Sequence, residues 1–315
     1  MLRSMYSGIS GLRNFQTKLD VIGNNISNVN TYGFKKGRTI FKDLISQTVA
    51  GASGATATRG GVNPKQVGLG AQMSAIDTIH AGGSTQFTGN TLDLAISGDG
   101  FFQLGEYNTD ATANSEISNI QYTRAGNFYM DNTGYLVNSE GKYLIGVTDV
   151  TGYNPRAAYD ETAFTNVNPI DENDTSAGIP TNLDPADATE YSRIVIPTTA
   201  QSMSIGQDGT VTFVDENGVL KFAGKLAMAK FPNPSGLNKV GGNYFQESAN
   251  SGSPVRSFAT EGGTGSVESG FLEMSNVDLA EEFTEMIVAQ RGFQANTRII
   301  TTSDEILQEL VNLKR

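Results

Sequence analysis

Both ends of this chain carry an apolar residue every three or four positions, and neither end contains proline. Leu2, Met5, Ile9, Leu12, Phe15, Leu19, Ile22, Ile26 and Val29 mark the first thirty residues. Leu279, Phe283, Met286, Ile287, Phe293, Ile300, Leu307, Leu310 and Val311 mark the last forty. The first spacing is close to a coiled-coil seam, and together they predict two amphipathic helices that need a partner surface. Gly8, Gly11 and Gly23 interrupt the first helix and Gly292 the second. Each interior glycine costs about 1 kcal/mol relative to alanine, and lone helices are marginal in water even without that cost. The ends are therefore expected to order only when packed.

Charge sharpens that expectation. Residues 1–36 carry Arg3, Arg13, Lys18, Lys35 and Lys36 against Asp20, a net +4. Residues 277–315 carry seven acids and four bases, a net −3. The two ends can attract each other or the ends of neighbouring chains. Asn276 or Asp278 can cap the second helix. Asp278, Glu281, Glu282 and Glu285 suit the positive end of its dipole, and Lys314 and Arg315 suit the negative end.

Between the ends the pattern turns to strands. LDLAISGDGFFQL (92–104), NFYMDNTGYLVN (127–138), MSIGQDGTVTFVDENGVLKF (203–222) and GKLAMAKFPN (224–233) are short apolar runs separated by Gly, Asn and Asp. Asp208-Gly209 and Asn217-Gly218 are hairpin dipeptides. Residues 31–71 read as an extended connector, rich in Gly, Ala, Ser and Thr from 43 onward. Residues 149–192 hold four of the nine prolines and a net charge of −8. They read as an acidic surface insertion or small subdomain. The expected fold is α+β. A terminal helical domain comprises 1–30 and 277–315, and a β-rich core comprises 72–148 and 193–276.

Composition excludes more than it selects. The net charge of −11 argues against nucleic acid, which needs clustered Lys and Arg. No run approaches the roughly 18 apolar residues of a membrane span, so no membrane insertion is expected. The opening residues lack the continuous apolar core of a cleavable signal peptide. Cysteine is absent, which removes disulfides and thiolate metal sites. His80 is the one histidine, and a lone histidine is more often structural than a ligand. No nucleophile elbow, phosphate loop or complete calcium loop occurs. No catalytic residue, cofactor or metal is assigned, and the chain is not expected to be an enzyme.

Several segments resemble bacterial flagellar rod and hook proteins. LDVIGNNISNVNTYGFKKGR (19–38) is similar to the N-terminal signature of that family. SNVDLAEEFTEMIVAQRGFQANTRIITTSDEILQELVNL (275–313) is similar to its C-terminal signature. TGNTLDLAISGDGFF (88–102), YTRAGNFYMDNTGYLV (122–137) and FPNPSGLNKVGGNYFQES (231–248) also look like family segments. GGVNPKQVGLG (60–70) after DLISQTVAGAS resembles hook subunits most, with distal rod subunits as the alternative.

The resemblance implies a structural subunit that assembles with copies of itself into a tube. Both terminal helices would line the inner wall, and the β domains would lie outside. It also implies export through the flagellar export apparatus without a cleaved signal. An extracellular hook would act as a flexible coupling that transmits motor torque. Its partners would be the distal rod protein, the hook cap protein and the hook–filament junction protein. The candidate subunit-packing residues are Leu12, Leu19, Ile22, Asn25, Ile26, Phe283, Met286, Ile287, Phe293 and Ile300, with Asn25 placed to fix helix register. The rival of another class is a secreted β-rich binding protein or carbohydrate enzyme.

Overall fold

A computed structural model of the chain describes residues 2–56, 58–107, 117–148 and 191–313. All but the last two residues of the expected acidic insertion, together with Lys314 and Arg315, lie outside them. The chain is α+β, with two long helices and a mostly β interior. It divides into two compact units, each assembled from separated stretches of sequence.

The first unit comprises residues 1–29, 35–79 and 277–315. It contains α1 (Leu2–Ser27), β1 (Gly37–Asp43), β2 (Ser46–Ala50), β3 (Lys65–Gly68), β4 (Ala71–Thr78) and α2 (Leu279–Leu313). The helices form where the three-and-four spacing places them. Asp278 caps α2: its Oδ1 accepts the backbone N–H of Ala280 at 2.8 Å and of Glu281 at 3.3 Å. Strand β1 pairs antiparallel with β4, from Gly37 opposite Thr78 to Asp43 opposite Ala71, with a bulge between Ile40 and Phe41.

The stretch read as an extended connector thus carries three strands, and β4 belongs with the helices rather than with the β-rich unit. The reason is pairing: β4 takes its backbone hydrogen bonds from β1, which sequence alternation alone does not reveal. Between them, β2 and β3 form an antiparallel ladder. Bridges between Ser53 and Val62 and between Thr56 and Arg59 extend it. Every residue of β2 and β3 is exposed, Val49 and Val67 included.

The second unit comprises residues 30–34 and 80–276. Its strands are β5 (Thr85–Phe87), β6 (Leu94–Ser97), β7 (Phe101–Tyr107), β8 (Ile117–Thr123), β9 (Tyr129–Met130), β10 (Leu136–Val137), β11 (Tyr143–Val147), β12 (Tyr191–Arg193), β13 (Ser202–Ile205), β14 (Thr210–Val214), β15 (Leu220–Leu226), β16 (Met228–Lys230), β17 (Asn238–Gly241), β18 (Tyr244–Gln246), β19 (Val255–Ser257), β20 (Ser266–Ser269) and β21 (Phe271–Glu273). The spine of the main sheet runs β13-β14-β15-β11-β7-β8-β18-β17, and all its pairings are antiparallel. The two hairpin dipeptides turn where expected. Gly209 and Gly218 adopt φ of 81° and 77°, and the turns close through Gly206 N–H to Thr210 O and Asp215 N–H to Val219 O.

Strand β7 explains why the sheet is stable. Phe101 through Gly105 are all buried, so both faces of this central strand are covered. Phe102 and Leu104 enter the main core with Leu94, Phe128, Leu144 and Phe213. Phe101 faces a second, aromatic cluster with Tyr122, Phe231 and Phe245. Its rings meet edge to face, Tyr122 with Phe231 at 4.8 Å and Phe101 with Phe245 at 5.7 Å, a geometry their quadrupoles favour. His80 packs edge-on against Phe101 and Phe245.

Arg124, whose guanidinium lies over the Phe101 ring, forms a buried ion pair with Glu273 at 3.3 Å. Arg124 also donates to the carbonyls of Gly98 and Ile96, and Glu273 accepts the N–H of Gly83. Residues 30–34 are tied into this unit as well. Gly33 donates its N–H to Glu273 O at 2.8 Å. Its φ is 68°, and a Cβ there would stand 2.5 Å from the Ala125 nitrogen, so only glycine fits.

Candidate subunit-packing surface

The helical unit offers the surface on which assembly can be argued. Helices α1 and α2 lie antiparallel: Gly8 faces Ile300, Gly11 faces Asn296, Phe15 faces Gly292, and Lys18 meets Glu285. The glycines that weaken each helix are sockets here. A Cβ on Gly292 would stand 2.5–2.9 Å from three atoms of the Phe15 ring. A Cβ on Gly11 would stand 2.9 Å from both terminal atoms of the Asn296 amide. The helix propensity lost at these positions is exchanged for close approach of the partner side chains. Gly23 is different, with nothing within 4 Å of its would-be Cβ.

The face of α2 turned toward α1 follows an alternation of four and three: Glu282, Met286, Ala289, Phe293, Asn296, Ile300, Ser303 and Leu307, with Phe293 at its exposed edge. Glu282, Ala289 and Ser303 are its buried residues. The single stripe expected on this helix therefore divides. Met286 and Ile300 sit half-buried on the shielded face, whereas Phe283, Ile287 and Phe293 are exposed, Ile287 by 58%. On α1, Ile22 and Asn25 are buried, and Leu12, Leu19 and Ile26 are half-buried. Sequence reasoning missed Gly8, Gly11, Glu282, Ala289, Gly292, Asn296 and Ser303, because small and polar residues carry no hydrophobic signal. Glu282, Ala289, Asn296 and Ser303 share a heptad spacing, the cue that marks these four.

Asn25 joins three elements. Its side-chain amide donates to Gly37 O at 2.9 Å and accepts the Gly37 N–H at 3.0 Å. It thereby imitates a strand neighbour at the start of β1. Its Nδ2 also donates to Glu282 Oε2 at 3.2 Å. Around this point Lys18 pairs with Glu285 at 3.1 Å and Lys36 with Glu281 at 2.7 Å. Both glutamates are exposed, so each pair contributes about 1 kcal/mol at most. The opposite charges of the two ends thus meet within one subunit. Burial pushes the Glu282 carboxyl up from its usual value, and the charges of Glu285 and Glu281 add to this. The Asn25 hydrogen bond and the Lys36 charge oppose it.

What remains uncovered on α2 is apolar. Leu279, Phe283 and Ile287 flank one side of the shielded face. Val288, Ile299, Ile306, Leu310 and Leu313 flank the other. With Gly8 opposite Ile300 and 1.5 Å of rise per residue, about the last two turns of α2 extend past the start of α1. Leu310, Val311 and Leu313 there are exposed by 49%, 65% and 84%. Exposed apolar side chains of this kind are the material of which protein interaction sites are commonly built.

Comparison with known proteins identifies the family. The model "Flagella basal body rod protein" matches residues 5–35, "Flagellar hook protein FlgE/F/G D1 domain" matches 95–213, and "Flagellar basal body rod FlgEFG protein C-terminal" matches 268–313. The flagellar basal-body rod protein FlgG of Bacillus subtilis is 52% identical over 316 residues, covering 100% of both chains. The flagellar hook protein FlgE of Borreliella burgdorferi is 34% identical over an alignment of 451 residues, again covering 100% of both chains. The rod protein FlgG of the same organism is 33% identical over 318 residues, with 100% of both chains covered. These relatives are structural proteins of the flagellum, not enzymes, which overturns the rival reading as a binding protein or carbohydrate enzyme. The hook reading drawn from residues 60–70 is likewise less well supported than its rod alternative. The chain belongs to the flagellar rod and hook protein family.

Proposed function

We propose that this chain is a rod subunit of the flagellar basal body, of the distal rod type, and that it polymerises with copies of itself through the helical unit. One observation carries the choice of rod over hook. The B. subtilis rod protein aligns end to end over 316 residues at 52% identity. The hook proteins of two spirochaetes align over 451 and 475 residues at 34% and 31%, so they contain long stretches that this chain lacks. The exposed flanks of α2 supply the polymerising surface, with Phe283 and Ile287 turned toward a neighbour. Neighbouring rod and hook subunits and the flagellar export apparatus are its proposed partners. The hook cap and hook–filament junction proteins belong only to the hook reading.

The test is antibody labelling of flagellar basal bodies isolated with hooks attached. Label along the straight segment below the hook supports the rod. Label on the curved hook would establish the hook reading instead.

A further inference from the structure

The cluster around Glu282 contains an unbalanced charge. It is faced by Lys18 from α1, by Lys36 and Arg38 from β1 and the residue before it, and by Glu281 and Glu285 from α2 itself. Lys18 is held by Glu285, Lys36 by Glu281, and Arg38 by Asp77 of β4 at 3.8 Å. Each cation already has its own carboxylate. Glu282 is 4% exposed, and among the described residues the Asn25 amide is the one side chain that donates a hydrogen bond to its carboxylate. That same amide holds Gly37 at the start of β1. An ionised Glu282 therefore adds a charge that solvent barely reaches and that Lys36, already paired with Glu281, only partly offsets, at the point where α1, β1 and α2 join.

We propose that Glu282 is a protonation-sensitive lock on this three-element junction, closing on acidification and loosening as pH rises. The neutral carboxyl keeps an acceptor for Asn25 and removes the unbalanced charge. The sign follows from linkage. A carboxyl that binds its proton more tightly in the folded state stabilises that state in full below its unfolded pKa. The contribution is lost as pH rises through the higher folded value. The raised proton affinity of Glu282 sets the window above 4.5, the ordinary glutamate value. The lock is a property of the subunit and holds whether that subunit builds rod or hook.

Hydrogen exchange of the full-length chain tests it, with rates corrected for intrinsic chemistry, at about pH 5 and about pH 7.5. Protection across residues 18–27, 36–40 and 279–290 should be higher at the lower pH. One proton limits the gain to about tenfold per pH unit. Glu282→Gln keeps the acceptor and loses the charge, so its protection should be high and independent of pH. Glu285→Gln, on the exposed side, should keep the pH response.

A Glu282→Gln chain that still responds to pH, or that is less protected at both values, would overturn the proposal. So would absence of protection in the unmodified chain at both values. Carbon-13 titration of the Glu282 carboxyl in the unmodified chain provides a check independent of any variant. A midpoint above the ordinary value is expected, and one at or below it refutes the lock.

Discussion

Replacing Gly292 by alanine separates a packed helix pair from two independent helices by the sign of its effect. In a helix with no neighbour, glycine to alanine stabilises by about 1 kcal/mol. In the structure, the new methyl group would meet the Phe15 ring at 2.5, 2.7 and 2.9 Å, distances that force the ring or the helices to move. Overpacking of this kind costs about 1–3 kcal/mol. The helix-propensity gain subtracts from that, leaving a net loss of about 0–2 kcal/mol. Gly23 is the internal control: its Cβ would meet nothing, so Gly23→Ala should stabilise by about 1 kcal/mol.

The assay is urea unfolding followed by far-UV circular dichroism, to which α1 and α2 contribute most of the helical signal. A Phe15→Ala background completes a double-mutant cycle. With the ring gone, Gly292→Ala should recover its stabilising effect, giving a coupling of about 1–3 kcal/mol. If Gly292→Ala stabilises the unmodified chain as much as Gly23→Ala does, the sockets do not exist and the antiparallel pairing is refuted.

Asn25→Ala removes the Gly37 clamp and the Glu282 contact together. It should cost about 1–3 kcal/mol, read as lost amide protection at the end of α1 and the start of β1, with the β-rich unit unaffected. Ile287→Ser should leave the melting of the subunit unchanged, because the side chain is 58% exposed, yet weaken polymerisation as measured by sedimentation. Normal polymerisation would remove this flank of α2 from the assembly surface. Arg124→Met removes the buried pair with Glu273 and the donors to Gly98 and Ile96. The β-rich unit should lose about 3–5 kcal/mol in urea unfolding, and a loss below 1 kcal/mol would show that the pair contributes little.

The existence of the two helices, the β-rich pattern from residue 92 onward, the glycine turns at 209 and 218 and a cap at Asn276 or Asp278 were legible in the sequence, whereas the three strands within the expected connector were not. Each legible feature rests on local chemistry: a period of 3.6 or 2, a backbone that must reach positive φ, a carboxylate beside free N–H groups. The partners of those elements were not legible. Gly292 reads as a weak point because propensity is a local energy, and it becomes a socket only when Phe15 arrives from the opposite end of the chain. Asn25 reads as a polar break in an apolar stripe, yet it binds Gly37 and Glu282, which are 12 and 257 residues away. Phe283 and Met286 belong to one hydrophobic pattern, but only Met286 turns inward. Periodicity defines an apolar face, whereas the identity of the covering surface depends on non-local contacts, and these the tertiary structure alone decides.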